Sequence, residues 1–101
     1  MSLLFVYGTL KSPKIQKQIL GKIYKSKKDT LIGFTADSVE IENKSYLALI
    51  PNPQMETEGE VIEVQETDLK KLDKYETNAY ERVEITLKSG TKSYVYIKSF
   101  K

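Results

Sequence analysis

"LLFVYGTLKSP", residues 3–13, is the stretch from which the fold can be read outward. Five apolar or aromatic residues run without a polar break into Gly8, and the segment stops at a Ser-Pro pair. A short apolar run ending at a glycine reads as a buried strand. Ser12 and Pro13 read as the N-cap and first position of a helix. Serine can accept from the first free amides, and proline lacks an amide that would have no partner there. Ile15 and Ile19 then share one helical face, and Gly21 suits the helix end. On its own the glycine turn is a structural connection. It would also suit an anion- or amide-binding loop, because glycine lets backbone approach a ligand closely.

Beyond the first helix the pattern becomes strand-like from Leu31 to Ile50. "VEIE" alternates, "NK" can turn, and "SYLALI" returns as the second arm of a hairpin. "PNP" (51–53) is expected to break that pairing, and "GEVIEV" (59–64) alternates again. "TDLKKLDKYE" predicts a second short helix with Thr67 as its cap and Asp68 in the first turn, where a carboxylate suits the helix dipole. "YERVEITL" and "KSYVYIKSF" form a last hairpin around "KSGT". The predicted order is β-α-β-β-β-α-β-β, an α+β fold of about six strands. A strongly curved sheet or small barrel would limit its exposed edges.

The chain has 101 residues, 40% of them hydrophobic and 30% charged, which suits one domain (1–101) with one modest core. It contains no cysteine and no histidine. Thiol nucleophiles, Ser-His-Asp triads, imidazole acid–base catalysis and nearly all zinc sites are therefore excluded. An enzyme of this composition carries protons on Asp, Glu, Lys or Tyr. The net charge of +2 gives no argument for nucleic acid or an anionic membrane. The basic stretch "KSKKD" (25–29) reads as a solvated loop. No run approaches a membrane span, and "MSLLFVYGTL" has neither a basic leader nor a small-residue cleavage site, so a cytoplasmic location is expected.

One carboxylate sits on the wrong face. On a helical wheel Leu69 and Leu72 mark the buried stripe, and Glu76 projects between them. Lys70, Lys71 and Lys74 lie opposite, with Asp73 at the stripe's edge. An inward carboxylate costs free energy unless it is paired or hydrogen-bonded. Either the helix frays before Glu76, or Arg82 or a tyrosine satisfies it, or its pKa is raised and it becomes a better base near neutral pH. Tyr80 and Arg82 point to one face of the following strand, where they could position the carboxylate or line its pocket; equally, Tyr80 could be core and Arg82 part of a surface pair.

"FVYGTLK" and "LDKYETNAYERVEI" together resemble the γ-glutamylcyclotransferase-like superfamily, and within it the short γ-glutamylamine cyclotransferase, AIG2-like branch. The resemblance spans nearly the whole chain and implies a small mixed β-barrel with two short flanking helices. It implies that Tyr7, Gly8, Thr9 and Leu10 form the loop that holds a γ-glutamyl group, largely through backbone amides. It also implies that Glu76 is the catalytic glutamate, that Tyr80 and Arg82 lie on the strand that follows it, and that Tyr46 in "YLAL" is a further substrate-side position. Thr77 stands where the family often has glycine, and Leu47 replaces a usual proline. "KSPKIQKQIL" lacks the basic-glycine and asparagine-histidine pattern common after the first motif.

The implied activity is cyclisation of a γ-glutamyl amine or γ-glutamyl amino acid to 5-oxoproline with release of the amine, without metal or cofactor. The expected partner is that small molecule, with no nucleic acid and no membrane, on a monomer or weak homodimer. A non-catalytic module that binds a metabolite or partner on the same fold is the alternative. Nucleic-acid binding by a small barrel is a third class, which the weak net charge disfavours.

Overall fold

The first apolar run forms a strand, β1 (Ser2–Val6), paired antiparallel with β3 (Lys44–Val64) on one side and parallel with β5 (Lys92–Lys98) on the other. The structure is a computed structural model that describes residues 1–76 and 80–98; the side chains of Thr9, Val39, Ile41, Tyr46 and Lys98 also fall outside the description. Two more strands, β2 (Ser26–Ile41) and β4 (Tyr80–Thr86), complete a five-stranded sheet of order β2-β3-β1-β5-β4. Two helices flank it, α1 (Pro13–Leu20) and α2 (Glu66–Glu76), and a 3-10 turn at Thr9–Lys11 joins β1 to α1.

The sheet is strongly curved, and its two outer strands meet. Beyond β4, the Lys88 amide donates to the Thr30 carbonyl at 2.9 Å, and Ser89 Oγ donates to Asp29 Oδ2 at 2.6 Å. Across the other end, Tyr80 Oη donates to the Leu47 carbonyl at 2.9 Å. These bonds bring β4 against β2 and the first half of β3, which makes the α+β fold a small mixed barrel. Among the described residues its single parallel pairing is β1 with β5. No helix among the described residues is long and apolar enough to cross a membrane.

The two strand segments expected around "PNP" are one strand with a break in its register. Phe34 faces Pro51 while Ile32 faces Glu56, so β3 advances five positions where β2 advances two. Gly33, at φ 89°, takes the left-handed conformation at this bulge. The strand thus bends without ending, and its first half folds over the barrel. "KSKKD" is not a loop: β2 begins at Ser26, and Lys27 and Lys28 stand exposed on an outer strand, where lysine discourages edge-to-edge pairing. The β2–β3 turn is Glu42-Asn43, both with positive φ, one residue earlier than "NK".

Both helices keep their expected faces; α1 starts at Pro13 behind Ser12 as expected, and α2 starts earlier than expected. Ser12 is extended at the head of α1, but its side chain makes no capping hydrogen bond. Gly21 closes that helix at φ 77°, its amide donating to the Lys17 carbonyl. The second helix starts at Glu66, so Thr67 lies inside it, and the Gln65 carbonyl accepts from Asp68 and Leu69 instead. That helix includes Glu76, so it does not fray before the carboxylate.

Alternation along β1 feeds two cores. Leu4 and Val6 face the helices and pack with Leu20, Leu69 and Leu72, while Phe5 faces the barrel interior with Leu31, Leu49 and Val95. Gly59 permits the close approach of β3 to β1. A Cβ there would lie 2.5 Å from the Val6 carbonyl oxygen and 2.6 Å from Cζ of Phe5. Gly59→Ala is therefore expected to cost about 2–3 kcal/mol, the range for overpacking against backbone, read as a lower urea midpoint.

Candidate active site

The Tyr7–Leu10 loop emerges where β1 ends, and its backbone is fixed from beneath. Leu10 is buried in the helix-side core, so its side chain anchors the loop. Gln16, on α1 and 2% exposed, donates from Nε2 to the Leu10 carbonyl at 2.7 Å, and its Oε1 accepts from the Tyr24 amide at 2.9 Å. The Lys11 amide donates back to the Gly8 carbonyl. Gly8 differs from the other turn glycines. It has no positive φ, and among the described residues a Cβ on it would meet Leu47 Cδ2 at an ordinary 3.5 Å. Neither backbone strain nor packing among the described residues demands glycine here.

Tyr7 spans the barrel mouth. Its hydroxyl donates to the Tyr96 carbonyl at 2.8 Å and receives the Leu49 backbone amide. Burial pushes this hydroxyl well above the usual tyrosine range, and the nearby Tyr80 and Glu76 raise it further. Glu76, the last residue of α2, is half-buried. Burial raises its carboxyl from an ordinary 4.5 to about 7. The structure thus brings Tyr7, Glu76 and Tyr80 into one electrostatic neighbourhood beside Gly8. The side chains of Thr9 and Tyr46, and Thr77 altogether, lie outside the described residues.

Arg82 is engaged elsewhere. Its Nε donates to Asp73 Oδ1 at 3.0 Å and its Nη2 to Asp73 Oδ2 at 3.2 Å, while the guanidinium lies 4.5 Å from the Tyr94 ring centre. Tyr96 Oη adds a 2.6 Å hydrogen bond to Asp73 Oδ1. The expectation that Arg82 could satisfy Glu76 is thereby corrected: the guanidinium pairs with the carboxylate one helical turn earlier. Sequence reasoning also missed Gln16, Asp73 and Tyr96. For Asp73 a local signal existed, its place on the stripe's edge three residues before Glu76. Tyr96 follows from register alone, since β4 and β5 set it opposite Arg82. Among the described residues no cluster of ligating side chains could hold a metal ion.

The arrangement is a half-buried carboxyl raised to about 7, close enough to Tyr7 to act on its hydroxyl. A solution structure of an Arabidopsis thaliana protein matches with a TM-score of 0.82 at 26% identity, covering 99% of this chain and 70% of that one. An uncharacterized protein from Pyrococcus horikoshii matches with a TM-score of 0.75 at 25% identity, covering 100% of this chain and 80% of the other. A structure of a gamma-glutamyl cyclotransferase matches with a TM-score of 0.77 at 18% identity, covering 97% of this chain and 66% of that one, a likeness of fold. A comparison with curated proteins finds no match. The model of the family described as "Gamma-glutamyl cyclotransferase, AIG2-like" matches residues 4–100, nearly the whole chain, and the chain belongs to that family.

Proposed function

We propose that the protein is a γ-glutamyl cyclotransferase that converts a γ-glutamyl amine or γ-glutamyl amino acid to 5-oxoproline, with Glu76 as base and then acid. The observation that carries this reading is the half-buried Glu76, raised to about 7, in the electrostatic neighbourhood of Tyr7. Glu76 takes a proton from the substrate's α-ammonium group. The freed amine attacks the γ-carbonyl, and a carbon–nitrogen bond closes the five-membered ring. Collapse of the tetrahedral adduct breaks the original amide bond as the proton on Glu76 passes to the departing nitrogen; Glu76 then takes the second proton from the new ring nitrogen and passes it to the released amine, which leaves as an ammonium. The reaction is intramolecular, so holding the substrate curled supplies much of the rate advantage.

The loop from Tyr7 to Leu10 holds the γ-glutamyl group through its backbone amides, either at the α-carboxylate or at the reacting carbonyl. Gly8 supports this assignment, because the chain's own packing leaves room for a side chain at that position. Tyr7 and Tyr80 wall the pocket on the barrel side, and Tyr46 and Arg82 complete the substrate-side set. The substrate is the small-molecule partner; the site reads as cytoplasmic chemistry on a monomer or weak homodimer. The reaction as written uses no cofactor.

Release of 5-oxoproline from a panel of γ-glutamyl amines and γ-glutamyl amino acids tests the reading. Wild type is expected to turn over at least one member, with kcat falling about tenfold per pH unit below about 7 as Glu76 becomes protonated. Glu76→Gln is expected to lose at least a hundredfold in kcat while remaining folded. Full activity in that variant would sink the mechanism, and no turnover by wild type across the panel would favour a binding module. Gly8→Ala is expected to fold with unchanged or slightly higher stability, yet lose at least tenfold in kcat/KM.

The buried carboxylate also carries a stability signature. Its folded pKa lies above its ordinary 4.5, so the unfolded chain binds fewer protons between that value and about 7. Stability conferred by the protonated form is therefore present below pH 4.5 and lost as the pH rises to about 7, on the order of 3 kcal/mol. Urea melts from pH 4 to 8 are expected to show this decline in wild type. Glu76→Gln should lack it and be the more stable protein at pH 8.

A further inference from the structure

Side chains alternate along β3, so Leu47 and Leu49 lie on the same, barrel-facing side of the strand. Leu49 is 1% exposed and packs with Phe5, Leu31 and Val95, whereas Leu47, two residues nearer the start of the strand, is 42% exposed. Leu47 therefore marks the rim, where the barrel interior opens to solvent. A lone exposed leucine is ordinary on a protein surface; this one is set apart by what holds it and what it faces. Its carbonyl accepts the Tyr80 hydroxyl at 2.9 Å, and the Leu49 amide donates to the Tyr7 hydroxyl. Two side chains of the mouth thus fix the stretch of β3 that carries it. What it faces is Gly8. A Cβ on that glycine would lie 3.5 Å from Leu47 Cδ2 and, its chain neighbours aside, within 4 Å of no other heavy atom among the described residues. The space that the glycine leaves open has a leucine methyl as its wall.

We propose that Leu47 is a specificity-determining residue whose side chain packs against the amine portion of the substrate, so that the site prefers an alkyl or aromatic amine as leaving group. The proposal rests on the reading of the Tyr7–Leu10 loop as the holder of the γ-glutamyl group. That group is common to every substrate of the class. It carries the charged substituents of the α-carbon and the reacting carbonyl, and these belong against backbone amides and a carboxylate, not against a leucine. The amine portion is the part that varies and departs, and it leads from the carbonyl toward solvent. Leu47, exposed at the rim beside Gly8, lies where such a group passes. Each methylene laid against it leaves water for an apolar contact, which favours the longer chain by about two- to fourfold. Ser38, opposite Leu47 on β2, is the uncharged neighbour across the strand pair, and Lys98, opposite Tyr80 on β5, has its side chain outside the described residues.

The test has a binding arm and a turnover arm. Glutaric acid mono-n-butylamide keeps the carboxylate, the three-carbon chain and the amide of a γ-glutamyl amine, but it has no α-amine and cannot cyclise. With wild-type protein its butyl protons are expected to show nuclear Overhauser contacts to the Leu47 methyl groups, and it should bind at least about eightfold tighter than the monomethylamide, the effect of three methylenes. In the 5-oxoproline assay, Leu47→Ala should lower the ratio of kcat/KM for γ-glutamyl-n-butylamine to that for γ-glutamyl-methylamine by at least about fourfold, and the volume-conserving Leu47→Met should restore it. A purely structural role would lower both substrates alike and leave the ratio unmoved. Leu47→Lys should shift preference at least about tenfold from the butylamine substrate toward γ-glutamyl-β-alanine, whose chain ends in a carboxylate. The proposal is overturned if the butyl chain makes no contact with Leu47, or if the ratio in Leu47→Ala equals that of wild type. If the analogue binds with its butyl chain on Leu47 while no γ-glutamyl compound is turned over, the proposed function fails and the apolar subsite stands.

Discussion

Everything in this fold is arranged around β1, which has a neighbour on both edges and a core on both faces. A strand in that position has no solvent-facing side on which to place a polar residue, which is why Leu3 to Tyr7 run without one. Each fully buried aliphatic or aromatic side chain contributes about 1.5–3 kcal/mol. Leu4, Phe5 and Val6 supply that on opposite faces, coupling the helix-side core to the barrel interior. The same crowding demands a gap opposite, and Gly59 provides it by letting the Phe5 ring lie against β3.

The second helix shows how one scaffold assigns different work to chemically similar groups. Asp68 is almost fully buried, yet its carboxyl is lowered, because the Tyr24 hydroxyl and the Lys22 and Lys71 ammonium groups favour its charge. Asp73 holds a bidentate guanidinium and a tyrosine hydroxyl. At Glu76 burial raises the carboxyl, with no compensating cation among the causes that act on it. A counter-charge, present at Asp68, separates the two carboxyls. A half-buried carboxylate with no ion pair among the described residues gives up stability at neutral pH.

How far this could be read from the sequence follows from the range of each interaction. The β1–turn–α1 unit, the amphipathic face of α2 and the inward direction of Glu76 are local consequences of period and turn chemistry, and all were legible. Misplaced starts had competing local signals. Thr67 resembles a cap, but Gln65 leads the helix with its backbone carbonyl, and Glu66 takes the Ser2 hydroxyl. "PNP" looks like a terminator, yet β3 continues through it, because a bulge at Gly33 absorbs the extra residues in the partner strand. The partner of Arg82 was not legible, because it depends on where β4 lies along α2, a tertiary fact with no sequence period. Gln16 reads as one more polar residue on a surface helix, and only the path of the loop reveals it as the carbonyl's support.

The convergence of the site follows from the one parallel pairing in the sheet. Because β1 and β5 run the same way, their C-terminal ends lie at the same end of the barrel, and Tyr7 can reach the Tyr96 carbonyl. Since β4 is antiparallel to β5, with Tyr80 opposite Lys98, the start of β4 lies at that end too. The second helix finishes at Glu76, four positions before Tyr80, so its last carboxylate is delivered to the place where the glycine loop emerges. Had β5 paired antiparallel with β1, the start of β4 would sit at the opposite end, beside Ser2, and no local adjustment of α2 would bring Glu76 back. Two motifs some seventy residues apart meet because of strand direction.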